Sequence, residues 1–371
     1  MGKWSKRKGE VEISESVIKQ KSTEDLLEAQ EWINKLLDYR KLNKLYSTYV
    51  KGIRRAIDYN EEDKVYVDFR LGGTITGRLS CAGYKAGKDP MGVSFHTLPR
   101  DKQISIRRAF VTKNDYVFIT ADYSTMELRV LCFLGQVKEM YTAFLNNKDL
   151  HLHSASLVFG KEEVTQEERQ IAKMVSFLLV YGGSAFRLSQ NLGIPLHRAE
   201  AIMTSYSMSF PEVFTYMEDV QEYIIEHQEV ESYFGRIRHL PDIRSVVDSV
   251  RATACRQGVN HTVQSTASDI LTGAMIGMNQ RFRAYNSSAR CMSTVHDSVE
   301  VKCKLSDLKR TLETMYHHMV NCTYIKKYLG IEFDVGFAID VEVGYSFSGG
   351  ISVVYNEGVV QNMDELMEYL K

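Results

Sequence analysis

The chain has 371 residues, 25% charged and 44% hydrophobic, with 46 Lys and Arg against 47 Asp and Glu and a formal net charge of −1. This composition excludes a disordered or collagen-like chain, and the length suggests two to three domains able to bury a core without disulfide or metal staples. The balanced charge neither announces nor excludes a nucleic-acid partner, because binding depends on a local basic stripe rather than on the sum. No apolar run reaches the roughly 18 residues of a membrane span. The N-terminal MGKWSKRKGE carries charges where a signal peptide has its apolar core, which points to a cytoplasmic protein. Lys6 stands where a myristoylation motif requires Ser or Thr, so residues 1–22 read as a polar, solvated tail. Cys81, Cys132, Cys255, Cys291, Cys303 and Cys322 are scattered with no C-x-x-C pair, and read as reduced thiols rather than a zinc site.

In chain order, S-T-E-D from Ser22 offers an N-cap with acids in the first turn. Leu26, Leu27, Ala29, Ile33, Leu36, Leu37 and Leu42 follow at helical spacing, and the helix is expected to run to about Ile57. Val65–Phe69 alternates like a strand and enters the glycine-rich L-G-G-T-I-T-G-R, and residues 81–100, with Pro90 and Pro99, read as a loop. Tyr116–Ala121 is a short β-rich run ending at Asp122. Residues 126–230 read as mostly helical, broken at Gly160, Gly182-Gly183 and Ile194-Pro195, and residues 248–283 as one long helix. A hairpin follows (M-S-T-V, H-D, S-V-E-V-K-C), then helix over 305–327 and strand over Phe333–Gly344. The order is a helical arm, a strand-rich piece, a helical insertion and a second strand-rich piece. The fold class expected is therefore mixed α+β, with the insertion splitting one sheet domain into two sequence segments.

Three constellations carry chemistry. Asp122 ends an apolar strand in D-Y-S-T-M-E-L-R, where a metal can reach a carboxylate, although such an Asp also serves as a turn or cap residue. Asp297 lies in V-H-D-S-V-E-V (295–301), at a tight turn between two apolar strands, which again is also a turn preference. Together they fit two-metal phosphoryl transfer, in which carboxylates hold a pair of divalent ions that serve the attacking and leaving oxygens. In R-Q-I-A-K-M-V-S-F-L-L-V-Y-G-G (169–183), Arg169, Lys173, Phe177 and Tyr181 are four apart and share one helix face. Two cations then two aromatics suit a triphosphate, a sugar and a base, and equally a solvated basic end followed by core aromatics.

These segments resemble those of family A (DNA polymerase I-like) DNA polymerases. D-Y-S-T-M-E-L-R-V-L resembles motif A, R-x-x-x-K-x-x-x-F-x-x-x-Y-G motif B, and V-H-D-S motif C. T-G-R-L-S (76–80), Y-F-G-R-I-R-H-L-P (233–241), N-H-T-V-Q-S-T-A-S-D-I (260–270) and D-L-H-L-H-S-A (149–155) match further family segments in order and spacing from about residue 22 to 348. The resemblance implies a right-hand polymerase with an antiparallel-sheet palm, helical fingers and a truncated thumb. Its segments would be a residual thumb or helical arm (1–61), palm (62–125), fingers (126–247), palm again (248–349) and a C-terminal extension (350–371).

The resemblance also implies site roles. Asp122, Asp297 and the Tyr123 carbonyl would hold two Mg2+ ions, with Mn2+ able to substitute. Arg169, Lys173 and His151 would bind the triphosphate, Lys173 also donating a proton to the leaving pyrophosphate. Phe177 would stack on the incoming dNTP and Tyr181 lie beside the templating position. Glu127 with Tyr181 would form a steric gate against a 2′-hydroxyl, which opposes an RNA polymerase or primase. Arg78, Asn260, Gln264 and His296 would contact the primer–template minor groove, whose acceptors are nearly the same for every correct pair. The function implied is template-directed, primer-dependent DNA synthesis in a bacterial or phage-infected cell. The alternative is a non-catalytic replisome subunit with a decayed site.

The chain departs from the family pattern at Ser298, where motif C usually has glutamate, at Ser176 and Leu178, where motif B has N-F-G, and at Ser265, where glycine is usual. With about 60 residues ahead of the sheet, the chain reads as a fragment or as a split or minimal phage-type polymerase. A second polypeptide supplying thumb, exonuclease or processivity function would then dock on residues 22–57 or on the tail, 350–371.

Overall fold

The computed structural model describes residues 3–4, 11–12, 27–61, 63–83, 85–86, 89–90, 92–99, 105–113 and 115–371. The cap expected at Ser22–Asp25 lies outside these residues. Within the expected solvated tail, Lys3–Trp4 and Val11–Glu12 pair as a short antiparallel ladder; the rest of that tail lies outside the described residues.

The chain divides into two compact units, Met1–Asp68 with Cys81–Arg100, and Phe69–Ser80 with Asp101–Lys371. In the first, helix α1 (Leu27–Lys44) passes through a π-helical turn (Leu45–Val50) into α2 (Lys51–Asn60). Leu45, Tyr49 and Ala56 are buried, and the Tyr49 hydroxyl donates to the Thr97 carbonyl. The expected loop over 81–100 carries a short ladder, Lys85–Ala86 with Asp89–Pro90, and a 3-10 turn at Phe95–Thr97. Trp32, Leu36, Tyr39, Tyr46 and Val50 recur at steps of three, four and seven along this helical run, and all are exposed.

The second unit is organised by a five-stranded antiparallel sheet among the described residues. Its strands are β1 (Tyr116–Tyr123), β2 (Arg290–Val295), β3 (Ser298–Lys304), β4 (Ile339–Gly344) and β5 (Ile351–Ser352), in the order β2-β3-β1-β4-β5. Alternation along β1 sends Val117, Ile119, Ala121 and Tyr123 into the core and turns Thr120 and Asp122 to the other face. Between β1 and the β2–β3 hairpin run α3 (Met126–Gly135), α4 (Lys138–Leu145), α5 (Leu150–Phe159), α6 (Gln166–Val180), α7 (Ala185–Leu192), α8 (Leu196–Ser209), α9 (Pro211–His227) and α10 (Asp248–Ala284). The 37 residues of α10 extend about 55 Å at 1.5 Å per residue. It packs against α3 and α9. Gly258 permits the approach to α9: a Cβ there would meet Ile224 Cδ1 at 2.2 Å.

Two expected continuous segments are broken by backbone that apolar spacing does not report. Gln136 (φ 50°) separates α3 from α4. Cys322 (φ 45°) divides the expected 305–327 helix into α11 (Leu308–Met319) and α12 (Thr323–Leu329). The strand expected from Phe333 begins only at Ile339. The six cysteines are free thiols.

The tail, expected to offer a docking element, packs part of its apolar surface within the chain. After a small hairpin, Tyr355–Asn356 with Val359–Val360, it forms α13 (Met363–Tyr369), whose Leu366 is fully buried, followed by Leu370 at 4% exposure. Both belong to the sheet unit's core, and the Tyr345 hydroxyl donates to the Leu370 carbonyl. Val360, Leu366 and Leu370 are therefore spent within the chain, while Val354, Val359, Met367 and Tyr369 stay exposed. Leu366→Ala should lower unfolding stability by about 2–5 kcal/mol, the range for truncating a fully buried leucine. Denaturant midpoints check this; a shift corresponding to less than about 0.5 kcal/mol would mean that the tail does not pack as described.

Candidate active site

The sheet register brings the two aspartates to one end. Asp122 in β1 pairs with Ser298 of β3 on one side and with Asp340 of β4 on the other. The Tyr123 N–H donates to the Asp297 carbonyl at 3.2 Å, which closes the β2–β3 turn onto the end of β1. That turn is two residues long, and His296 lies in the left-handed region (φ 59°) so that Val295 can pair with Ser298. At the next corner Thr125 is also left-handed (φ 53°), and its carbonyl accepts from Leu128 N as α3 starts. Side chains held in that region for want of glycine mark a tightly determined corner.

Arg78 joins these elements. Its Nη2 donates to Glu127 Oε1 at 2.6 Å and to Asp297 Oδ1 at 3.2 Å, and the Tyr181 hydroxyl donates to the same Glu127 oxygen at 3.4 Å. A turn positions the arginine: Gly77 N–H donates to the Thr74 carbonyl, and Thr74 Oγ1 to the Arg78 carbonyl. Gly77 needs φ 71°, and a Cβ would strike the Arg236 guanidinium at 2.5 Å. Burial disfavours the charge on Arg78, but Asp297 and Glu127 outweigh it and raise its pKa. Burial raises the Glu127 carboxyl, and Arg78 offsets this only in part. Glu127 is 4% exposed.

Helix α6 carries Arg169, Lys173 and Phe177. Thr165 and Glu168 form a reciprocal capping box, and the helix ends at Val180 with Tyr181 as its cap residue. Arg169 grips Asp149 Oδ2 through Nε at 3.1 Å and Nη2 at 2.6 Å, while Asp149 Oδ1 caps α5 by accepting from the His151 and Leu152 N–H groups. Lys173 is exposed, with no side-chain partner among the described residues. His151 is buried against Phe177, ring centroids 5.9 Å apart. Burial, with Lys173 and Arg169, lowers its pKa to about 4 despite Asp149, so at neutral pH it offers a neutral imidazole. Ser176 is buried, with its hydroxyl on the Ala172 carbonyl and near the Tyr206 hydroxyl. Leu178 folds over Gly183, where a Cβ would meet it at 2.2 Å.

Asn260 Nδ2 donates to the Val180 carbonyl at 3.3 Å, so α10 abuts the end of α6. Gln264 is buried at 7% exposure, and His296 is exposed in its turn. Sequence reasoning missed three acids, one on the helical segment and two beside Asp122 on the sheet. Asp149 is one; it lies inside the D-L-H motif but was not assigned a role. Asp340, accepting from Ser124 Oγ at 2.7 Å, and Glu300 are the others, and strand alternation from Asp122 through its partners was the signal that could have found them.

Among the described residues no group of three or more His, Cys, Asp or Glu stands at metal-binding distance. The donor set at the sheet end is nevertheless of hard oxygens, and a cationic guanidinium already sits on Asp297. Carboxylates so placed fit Mg2+, which takes few protein ligands and completes its shell with water and substrate phosphate.

A family profile for DNA polymerase family A matches residues 2–348. The chain belongs to this family. Among curated members, it is 35% identical over 265 residues to DNA polymerase I of Helicobacter pylori, covering 71% of this chain and 28% of that protein. It is 36% identical over 280 residues to the thermostable DNA polymerase I of Thermus aquaticus, covering 74% of this chain and 32% of that one. The chain thus spans about a third of the length of these relatives. A solved structure of the POL domain of Pol1 from M. smegmatis, in complex with DNA primer-template and dNTP, superposes with TM-score 0.80 at 27% identity. The match covers 94% of this family A chain and 58% of that one. The mixed helix and antiparallel-sheet fold is that of a family A polymerase domain.

Glu300 gives the site a pH signature. Burial pushes its carboxyl up to about 7 from the ordinary 4.5, against the lowering effects of Ser298 and Arg107. Below the ordinary value it is protonated folded or unfolded; between there and about 7 only the folded chain holds the proton, so stability falls as pH rises through that window. Glu300→Gln should remove this slope, gaining on the order of 3 kcal/mol over wild type across the window. Parallel stability profiles of the two proteins would overturn the assignment.

Proposed function

We propose that this chain is the polymerase module of a template-directed, primer-dependent DNA polymerase that adds dNTPs to a primer 3′ end and releases pyrophosphate. The observation that carries the reading is the convergence of Asp122 and Asp297 at one sheet end beside the Arg78–Glu127–Tyr181 network. A decayed site would have no reason to keep this set bonded together.

In this reading residues 62–125 and 248–349 form the palm, 126–247 the fingers, 1–61 a residual thumb and 350–371 an extension packed on the palm. Asp122, Asp297 and the Tyr123 carbonyl hold two Mg2+ ions, with Mn2+ able to substitute. When bound, the ions activate the primer hydroxyl and stabilise the leaving oxygen. Arg169 and Lys173 bind the triphosphate as cations, and Asp149 fixes the guanidinium of Arg169 so that its fork is set before the nucleotide arrives. His151, neutral, adds a hydrogen bond rather than a charge. Lys173 Nζ carries the proton that the pyrophosphate oxygen takes on leaving. Phe177 presents a ring to the nucleotide, and Tyr181 lies beside the templating position. The Tyr181 hydroxyl on Glu127 closes the space a ribose 2′-hydroxyl would need. Arg78, Asn260, Gln264 and His296 meet the minor groove of the primer–template. The exposed stripe from Trp32 to Val50 supports a second polypeptide on the N-terminal helix.

Asp122→Ala and Asp297→Ala should each abolish nucleotide incorporation in a primer-extension assay while leaving primer–template binding largely intact. Near wild-type turnover in either would refute the assignment. Glu127→Ala should lower discrimination between dNTPs and rNTPs by orders of magnitude in single-turnover kinetics. An unchanged ratio would remove Glu127 from the gate.

A further inference from the structure

Along the face of the sheet that bears Asp122, β3 presents Ser298 and then Glu300, opposite Asp122 and Thr120. Both are buried, Glu300 at 1% exposure and Ser298 at 2%. Ser298 Oγ lies 2.7 Å from Glu300 Oε1 and 3.0 Å from the Val295 carbonyl oxygen. Glu300 Oε2 is buried with no hydrogen-bond partner among the described residues. Asp122, Arg107 and Ser293 are the other groups that face it.

A carboxyl group with an unsatisfied oxygen in this setting costs stability, and an apolar side chain would fill the place better. The hydroxyl between the two acceptors has one proton. If Glu300 is ionised, Ser298 donates to it and releases Val295; if Glu300 is protonated, it donates to Ser298 Oγ and Ser298 donates to Val295. Val295 is the residue from which the His296-Asp297 turn springs. With Glu300 protonated, two hydrogen bonds therefore connect the buried acid to the turn that carries Asp297.

We propose that Glu300, acting through Ser298, is a positioning residue for the divalent-cation site of Asp122 and Asp297. It sets the turn that carries Asp297. The inference rests on the reading of these aspartates as cation ligands. Ser298, the departure from motif C, is then the link that lets an acid two residues farther along the strand serve the site.

The test is equilibrium binding of Mn2+ to the full chain without DNA, read from the paramagnetic resonance signal of the free ion. Glu300→Leu and Ser298→Ala should each weaken binding about tenfold, as loss of a partner behind a metal ligand does. The double variant should bind no more weakly than either, because both changes cut one path. Ser298→Glu in the Glu300→Leu background should restore affinity, since position 298 faces Asp122 directly. Wild-type affinity in Glu300→Leu, with binding lost in Asp297→Ala, would overturn the inference and leave the cation reading standing. Wild-type affinity in Asp122→Ala and Asp297→Ala would overturn the cation reading itself. Additive losses in the double variant would overturn the relay. If Glu300→Leu does not fold, Ser298→Ala cuts the same path from the other end and decides the question alone.

Discussion

The register of β1 between β3 and β4 is the constraint on which the site depends. Side chains alternate between the two faces of a strand, so a slip of one residue would carry Asp122 into the core and bring Ala121 or Tyr123 to the open face. Val117, Ile119, Ala121 and Tyr123 prevent this by filling the buried face. The geometry of the candidate site is thus enforced by apolar residues that face away from it. The same register aligns Ser298 and Asp340 on either side of Asp122, which is why acids accumulate at this end of the sheet.

Close packing of helices around that sheet depends on small side chains at a few places. Gly258 lets α9 approach α10, and Gly183 accepts Leu178 from the preceding helical turn. Leu178 stands where the family usually has glycine, and its bulk is matched by a residue five positions later with no side chain. The departure in motif B is therefore absorbed locally rather than transmitted along α6.

Much of this was legible in the sequence. The strand ending at Asp122, the H-D turn, the long helix and the Arg169–Tyr181 face follow from periodicity and turn chemistry, which act within a few residues. What was not legible joins distant positions. Arg78 meets Glu127 across 49 residues and Asp297 across 219, and no local pattern reports such a pairing. Cys322 breaks a helix in a left-handed conformation that its side chain does not favour, so tertiary packing overrode propensity there. The tail helix was read correctly as amphipathic, but amphipathicity states only that one face is covered, not by what. Glu300 escaped notice because a charged residue in a strand is ordinarily read as solvent-facing.

Arg78 is shared between Glu127 and Asp297. In the proposed reading, a cation arriving at Asp297 and a nucleic acid drawing Arg78 away would each undo the same ion pair. Whichever came first would spare the other that cost, and thermodynamic linkage would require each to tighten the other by the same factor. The arginine would then be a built-in competitor, and its departure would make metal and DNA mutual effectors.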